Sequence, residues 1–346
     1  MPTGLNNDIT DVPAVSVGHV SIIRGEGALL PGHGPVRTGV TAILPHQGNL
    51  YRRACPAGIE VFNGYGKSVG IPYILETGIL NGPILLTNTL SVYDVANGVT
   101  TFMLTENPEI GNDARTPNPV VFECDDSYLN DLRGRHVKPW DAILAIQRAG
   151  PGPIGQGNVG AGVGMSCFEL KGGIGSSSRL VTLDDQRVFL LGVIALANFG
   201  ILRDLQIGGI PVGMVLAERR TGIRQTGGPR PGRGSLIMVA ITDAPLTGGQ
   251  LAKLAKRSAL GQARTGSISM TGSGDFCLAV SNNRHGQGSI ADRQLDFFFR
   301  AMVEACAESI WNALFYAETM EGRDGRWRQA LPIQETVEII RSFYPW

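Results

Sequence analysis

Apolar residues recur along this chain in two rhythms. Leu295, Phe298, Phe299, Met302, Val303, Cys306, Ile310 and Leu314 return at three- and four-residue steps, the stripe of a helix lying on a core, and predict a long helix from Asp292 to about Glu318. Shorter helices are predicted at 139–148 (PWDAILAIQR), with Pro139 suited to a first turn and Gly150 as its stop, at 249–260 (GQLAKLAKRSAL), and in QETVEIIRSF near the end. The other rhythm is that of strands. VSVGHVSII, GVTAILP and PILLTNTLSVYDV are short apolar runs broken by Gly, Pro and Asn, followed later by VFLLGVIALANFGIL (188–202) and ISMTGSGDFCLAVS. In SLIMVAIT, positions 236–241 are apolar without alternation, so both faces of that strand must be covered and it belongs at the centre of a sheet. A sheet buried on both sides, with helices towards each end of the sequence, predicts stacked layers with helices outside and sheets inside. No repeat or charge block divides the chain, and 221–234 is the single linker-like stretch, so 1–346 reads as one domain.

Composition narrows the function. Hydrophobic residues make up 43% of 346, enough for a sizeable core. Thirty basic residues balance thirty acidic ones, so no net field favours nucleic acid or an anionic membrane surface. MPTGLNNDITDV lacks the basic and apolar regions of a signal peptide, and 188–202 is too short for a membrane span, which predicts a cytoplasmic protein. Five scattered cysteines without a C-x-x-C predict reduced, buried thiols, and the five histidines show no metal-ligand spacing, so neither metal nor cofactor is expected. GQGNVG at 155–160 follows a helix and AGPGPI instead of a strand, which argues against a dinucleotide site. No nucleophile-elbow or phosphate-loop motif occurs.

Candidate chemistry centres on one junction. Of five Gly-Ser pairs, only Gly234-Ser235 lies between a long Gly/Pro/Arg loop and a fully apolar strand, so Ser235 is expected at the very start of a rigid buried element. Cleavage before Ser235 would give it a free α-amine with an ordinary pKa of about 7.7–8.0, and one residue would then supply nucleophile and base. Gly234 suits the cut because it tolerates strained backbone and leaves its carbonyl unshielded. The plainer reading is a surface loop before a core strand. In TGSGDF, Ser273 and Asp275 are two apart, so on a strand they share a face and a hydrogen bond. The alternative is a turn in which Asp275 caps local backbone.

ITDVPAVSVGH, GPILLTNTLSV, the LND of DSYLNDLRG, GNVGAGVGM with KGGIGSSSR, ANFG, GSLIMVAITDAPL, GSGDF and NALFYAETMEGRDG occur in order along nearly the whole chain. By these segments the sequence resembles the L-aminopeptidase/D-esterase and β-aminopeptidase family of self-processing serine peptidases. The resemblance implies an α+β fold, a four-layer αββα sandwich like that of N-terminal-nucleophile hydrolases but with different connectivity. It implies cleavage into an α chain 1–234 and a β chain 235–346, with tetramers of αβ pairs. It assigns Ser235 as nucleophile, Ser273 and Asp275 as the residues tuning it, Asn198 as an oxyanion donor and Glu123 as receiver of a substrate ammonium group. Without the resemblance, Asn198 reads as a turn residue and Glu123 as a partly exposed strand carboxylate. Asp275 stands where Glu is common, and near Asp125 some members carry an oxyanion-assisting Tyr; Tyr128 is the nearest candidate, and that role is not transferred to it. The implied activity is hydrolysis of the N-terminal amide bond of small peptides or amino-acid amides and esters, of L-α, D or β type. Rivals are a related acyltransferase or amide-oligomer hydrolase, both Thr-type, and an uncut non-enzymatic binding protein.

Overall fold

In a computed structural model, residues 1–219, 233–283 and 288–344 are described. The predicted loop 221–234 falls almost entirely outside them. The strands are β1 (Ser16–Arg24), β2 (Val36–Leu44), β3 (Cys55–Gly64), β4 (Ile79–Leu80), β5 (Ile84–Asn88), β6 (Val120–Cys124), β7 (Ser166–Cys167), β8 (Leu170–Lys171), β9 (Gly173–Thr182), β10 (Val188–Asn198), β11 (Arg233–Thr242), β12 (Gly272–Ser281), β13 (Met320–Glu321) and β14 (Trp327–Arg328). The helices are α1 (Ile71–Thr77), α2 (Val92–Glu106), α3 (Pro139–Gln147), α4 (Val212–Arg219), α5 (Gly248–Ala255), α6 (Ser258–Arg264), α7 (Leu295–Phe315) and α8 (Ile333–Phe343).

Two sheets carry the molecule: a four-stranded one in the order β1-β2-β5-β6 and a six-stranded one in the order β4-β3-β12-β11-β10-β9. Three apolar clusters fill three interfaces, and they define four layers. Val40, Ala42, Leu85 and Val121 of the small sheet meet Val95, Val99, Ala142 and Ile146 of α2 and α3. Ile43, Ile84, Leu86 and Phe122 meet Ile59, Ile194, Ile237 and Leu278 between the sheets. Val193, Met238, Ala240 and Cys277 meet Leu251, Phe298, Met302 and Cys306 of α5 and α7. This is the αββα sandwich. In β11, Leu236, Met238 and Ala240 face the helices while Ile237, Val239 and Ile241 face the other sheet. An unbroken apolar run is therefore what a central strand of the inner layers requires. All five cysteines are buried and unpaired.

Three elements differ from the sequence reading. SVYDV, read as the end of a strand, instead leads into α2, whose buried stripe Val92, Val95, Val99 and Met103 lies on the small sheet. The helix predicted at 249–260 is two: α5 begins at a Thr247/Gln250 capping box and lies on β3, and α6 turns to pack against α7. ISMT is not strand, since β12 begins at Gly272.

Candidate active site

Strand register assembles the site. Ser235 lies opposite Asn198 of antiparallel β10 and opposite Gly274 of parallel β12, which places Ser273 and Asp275 on either side of that partner. Residues far apart in sequence thus form one row at the end of three adjacent strands. Ser235 is not the first residue of its strand, as the sequence suggested, but the third. Arg233 and Gly234 already pair with Gly272 and Ser273, so the parallel neighbour extends the ladder across the junction. Ser235 is buried, and its hydroxyl donates to the Gly234 carbonyl oxygen at 2.6 Å. A Cβ on Gly234 would come within 2.9 Å of the Phe199 Cα, so only glycine fits this close approach without displacing β10.

The expected Ser273–Asp275 pair is present. The Ser273 hydroxyl donates to Asp275 Oδ1 at 2.6 Å, and the same oxygen accepts the backbone N–H of Leu236, the residue after Ser235, at 3.0 Å. Asp275 Oδ2 accepts from Gln262 Nε2 at 3.2 Å and, in a very short bond, from the Ser269 hydroxyl. Asp275 is fully buried and held by four donors, none of them a cation. Gln262 and Ser269 were missed by sequence reasoning, because α6 and the loop before β12 carry no motif.

Asn198 is also oriented from both sides. Its Oδ1 accepts the Ser166 backbone N–H at 2.8 Å and its Nδ2 donates to the Asp125 carbonyl at 2.9 Å, which fixes the sense of the amide. One Nδ2 hydrogen remains beyond that bond. Glu123 is wholly buried instead of partly exposed, because β6 lies in the inner layer. Its Oε1 accepts the Lys67 N–H at 2.7 Å and its Oε2 the Thr89 hydroxyl. Burial pushes its carboxyl up, and these hydrogen bonds and the Lys67 charge pull it back. The following residue, Cys124, places its Sγ 3.5 Å from the Ser235 carbonyl oxygen, so the end of β6 crosses over the start of β11. Tyr128 is buried with the Arg328 guanidinium 3.5 Å above its ring.

Beneath Asn198, the β7–β8 hairpin buries Lys171, whose Nζ donates to the Gly162 and Gly172 carbonyls at 3.0 and 2.7 Å. Burial pulls this lysine down to about 7 and pushes Asp126, also fully buried, up to about 8. A small cleft opens beside the row, lined by Phe199, Gly234, Ile268, Met270 and Ser273 among others. A larger cavity, about 300 Å³, includes Ser281 at the opposite end of β12 and is remote from Ser235.

Comparison with known proteins finds relatives that match nearly the whole chain. The model of peptidase family S58 matches residues 7–328. The β-peptidyl aminopeptidase BapA of Sphingosinicella microcystinivorans is 40% identical over 362 aligned positions, covering 98% of this chain and 89% of the relative. The structure of the PH0078 protein from Pyrococcus horikoshii OT3 superposes with a TM-score of 0.91 at 47% identity, covering 99% of this chain and 96% of that one. The L-aminopeptidase D-Ala-esterase/amidase from Ochrobactrum anthropi, described as a variant of the Ntn-hydrolase fold, superposes with a TM-score of 0.89 at 34% identity, covering 99% and 96%.

Proposed function

Because this chain belongs to peptidase family S58 and is a hydrolase of the aminopeptidase type, we propose that it processes itself between Gly234 and Ser235 and then works through the Ser235 hydroxyl and α-amine. The observation that carries this reading is the row Asn198–Ser235–Gly274, flanked by the Ser273–Asp275 pair, with the Ser235 hydroxyl already on the Gly234 carbonyl. In self-cleavage, Oγ attacks that carbonyl carbon, the C–N bond breaks, and the Oγ proton passes to the leaving nitrogen. The resulting ester is hydrolysed by one water, leaving 1–234 with a carboxylate and 235–346 with a free serine amine.

In turnover the same hydroxyl attacks the substrate carbonyl while the amine takes its proton. The remaining Asn198 N–H, with a backbone N–H, stabilises the oxyanion. The leaving amine departs with the proton, and water or another amine releases the acyl group. Glu123 receives the substrate's ammonium: its charge is buried among neutral donors, so a bound cation relieves its desolvation. The named relatives, a β-peptidyl aminopeptidase and an L-aminopeptidase D-Ala-esterase/amidase, support small peptides or amino-acid amides and esters as the substrates. Assembly as tetramers of αβ pairs, in the cytoplasm and without metal or cofactor, completes the proposal.

The test is the intact mass of the denatured protein beside a Ser235→Ala variant. Two fragments summing to the full chain plus one water, absent from the variant, support the reading; a single uncut chain in both overturns it and favours the binding-protein rival. An acyl-transfer assay separates the hydrolase from its Thr-type relatives.

A further inference from the structure

Arg328 is a buried cation near the row whose chemistry the proposed mechanism leaves unused. It lies on β14, 5% exposed, and its guanidinium forms no ion pair with a described carboxylate. Its Nε donates to the Ser166 hydroxyl at 3.1 Å, its face lies on Tyr128 with 3.5 Å from Cζ to the ring centroid, and its Nη2 has no acceptor among the described residues. Burying a cation this way is unfavourable unless the surroundings use it.

The contacts lead directly to the oxyanion donor. Ser166, gripped at its hydroxyl by Arg328, uses its backbone N–H to hold Asn198 Oδ1 at 2.8 Å. The next residue, Gln329, accepts the Lys171 N–H at 2.8 Å, so the segment pins the β7–β8 hairpin at two points. With Oδ1 pinned, the Asn198 amide cannot flip, and its Nδ2 stays on the Asp125 side where the second hydrogen is free for a substrate oxygen.

Resting on the reading above, we propose that Arg328 is a positioning residue for the oxyanion site, acting through Ser166 on the Asn198 amide. The clamp spans the proposed cut, since Ser166 and Asn198 belong to 1–234 and Arg328 to 235–346. The mature oxyanion site is therefore completed by both fragments.

The experiment is a double-mutant cycle on the full protein with an amino-acid p-nitroanilide. Arg328→Met lowers kcat by about tenfold to a hundredfold, the range for removing a supporting group behind a catalytic one, while KM stays within about twofold. In an Asn198→Ala background, Arg328→Met has little further effect, because the amide it positions is gone. Ser166→Ala, which leaves the arginine in place, shows a smaller kcat loss that also vanishes in that background and serves if Arg328→Met does not fold. Equal losses with and without Asn198, or a raised KM with kcat retained, overturn the proposal. Ser235→Ala run alongside reports separately on the nucleophile: turnover independent of Ser235 defeats the underlying reading, whereas Ser235-dependent turnover indifferent to Arg328 and Ser166 defeats this inference alone.

Discussion

At the scale of single residues, the site is a set of side chains held by neutral hydrogen-bond donors. Asp275 shows this most fully, with Ser273, Leu236, Gln262 and Ser269 all donating to it. Asp275→Asn replaces two acceptors by an amide with only one, so self-cleavage and turnover are expected to fall by about a hundredfold, read by fragment appearance on gels and by kcat. Glu123 gives a pH signature. Its carboxyl is raised above 4.5 by burial, so the ammonium-binding form is lost as pH falls through that raised value. KM for substrates with a free amine is expected to rise on acidification beginning above pH 4.5, and Glu123→Gln to show a high KM with no such slope. The Ser273–Asp275 hydrogen bond was legible in the sequence because spacing on a strand sets side-chain direction. Gln262, Ser269 and Arg328 were not, since each reaches the site from an element whose direction only packing determines.

At the scale of elements, helices approach the sheets closely where glycine leaves room. A Cβ on Gly175 of β9 would lie 1.9 Å from the Ser309 carbonyl of α7. Gly175→Val must lift that helix from the sheet and is expected to cost about 3 kcal/mol, measured as a lower urea midpoint at unchanged slope. The apolar stripe of α7 was legible along its length because three- and four-residue spacing states which face is buried. The start of α2 was not: VYDV follows ILLTN so closely that periodicity there suits either strand or helix. Packing on the small sheet settles it.

At the scale of the molecule, the order β4-β3-β12-β11-β10-β9 interleaves the two proposed fragments. β11 from Ser235 onward and β12 belong to 235–346 and are flanked on both sides by strands of 1–234, so separation would tear the six-stranded sheet twice. The cut protein is expected to elute from size exclusion as one species and to come apart only in denaturant; separate fragments in native buffer would contradict this. His19 is buried with its Nδ1 on the Thr41 hydroxyl and is pulled from 6.5 down to about 4 by burial. Between those values the unfolded chain takes up a proton that the folded one refuses, so the His19 contribution to stability drops as pH falls from 6.5 to about 4 and levels off below, while Asp126, raised to about 8 in the folded chain, acts in the opposite sense. His19→Leu is expected to flatten that limb by on the order of 2 kcal/mol, followed by chemical denaturation at pH 7 and pH 4. The sequence by itself determined the layered fold class and the central strand, because an apolar run without alternation states locally that both faces are buried. Only the tertiary structure decided which residues meet there. The register of β10 and β12 against β11, the crossing of β6 and the reach of Arg328 arise from pairing and packing between segments distant in the chain, and local pattern carries no information about such partners.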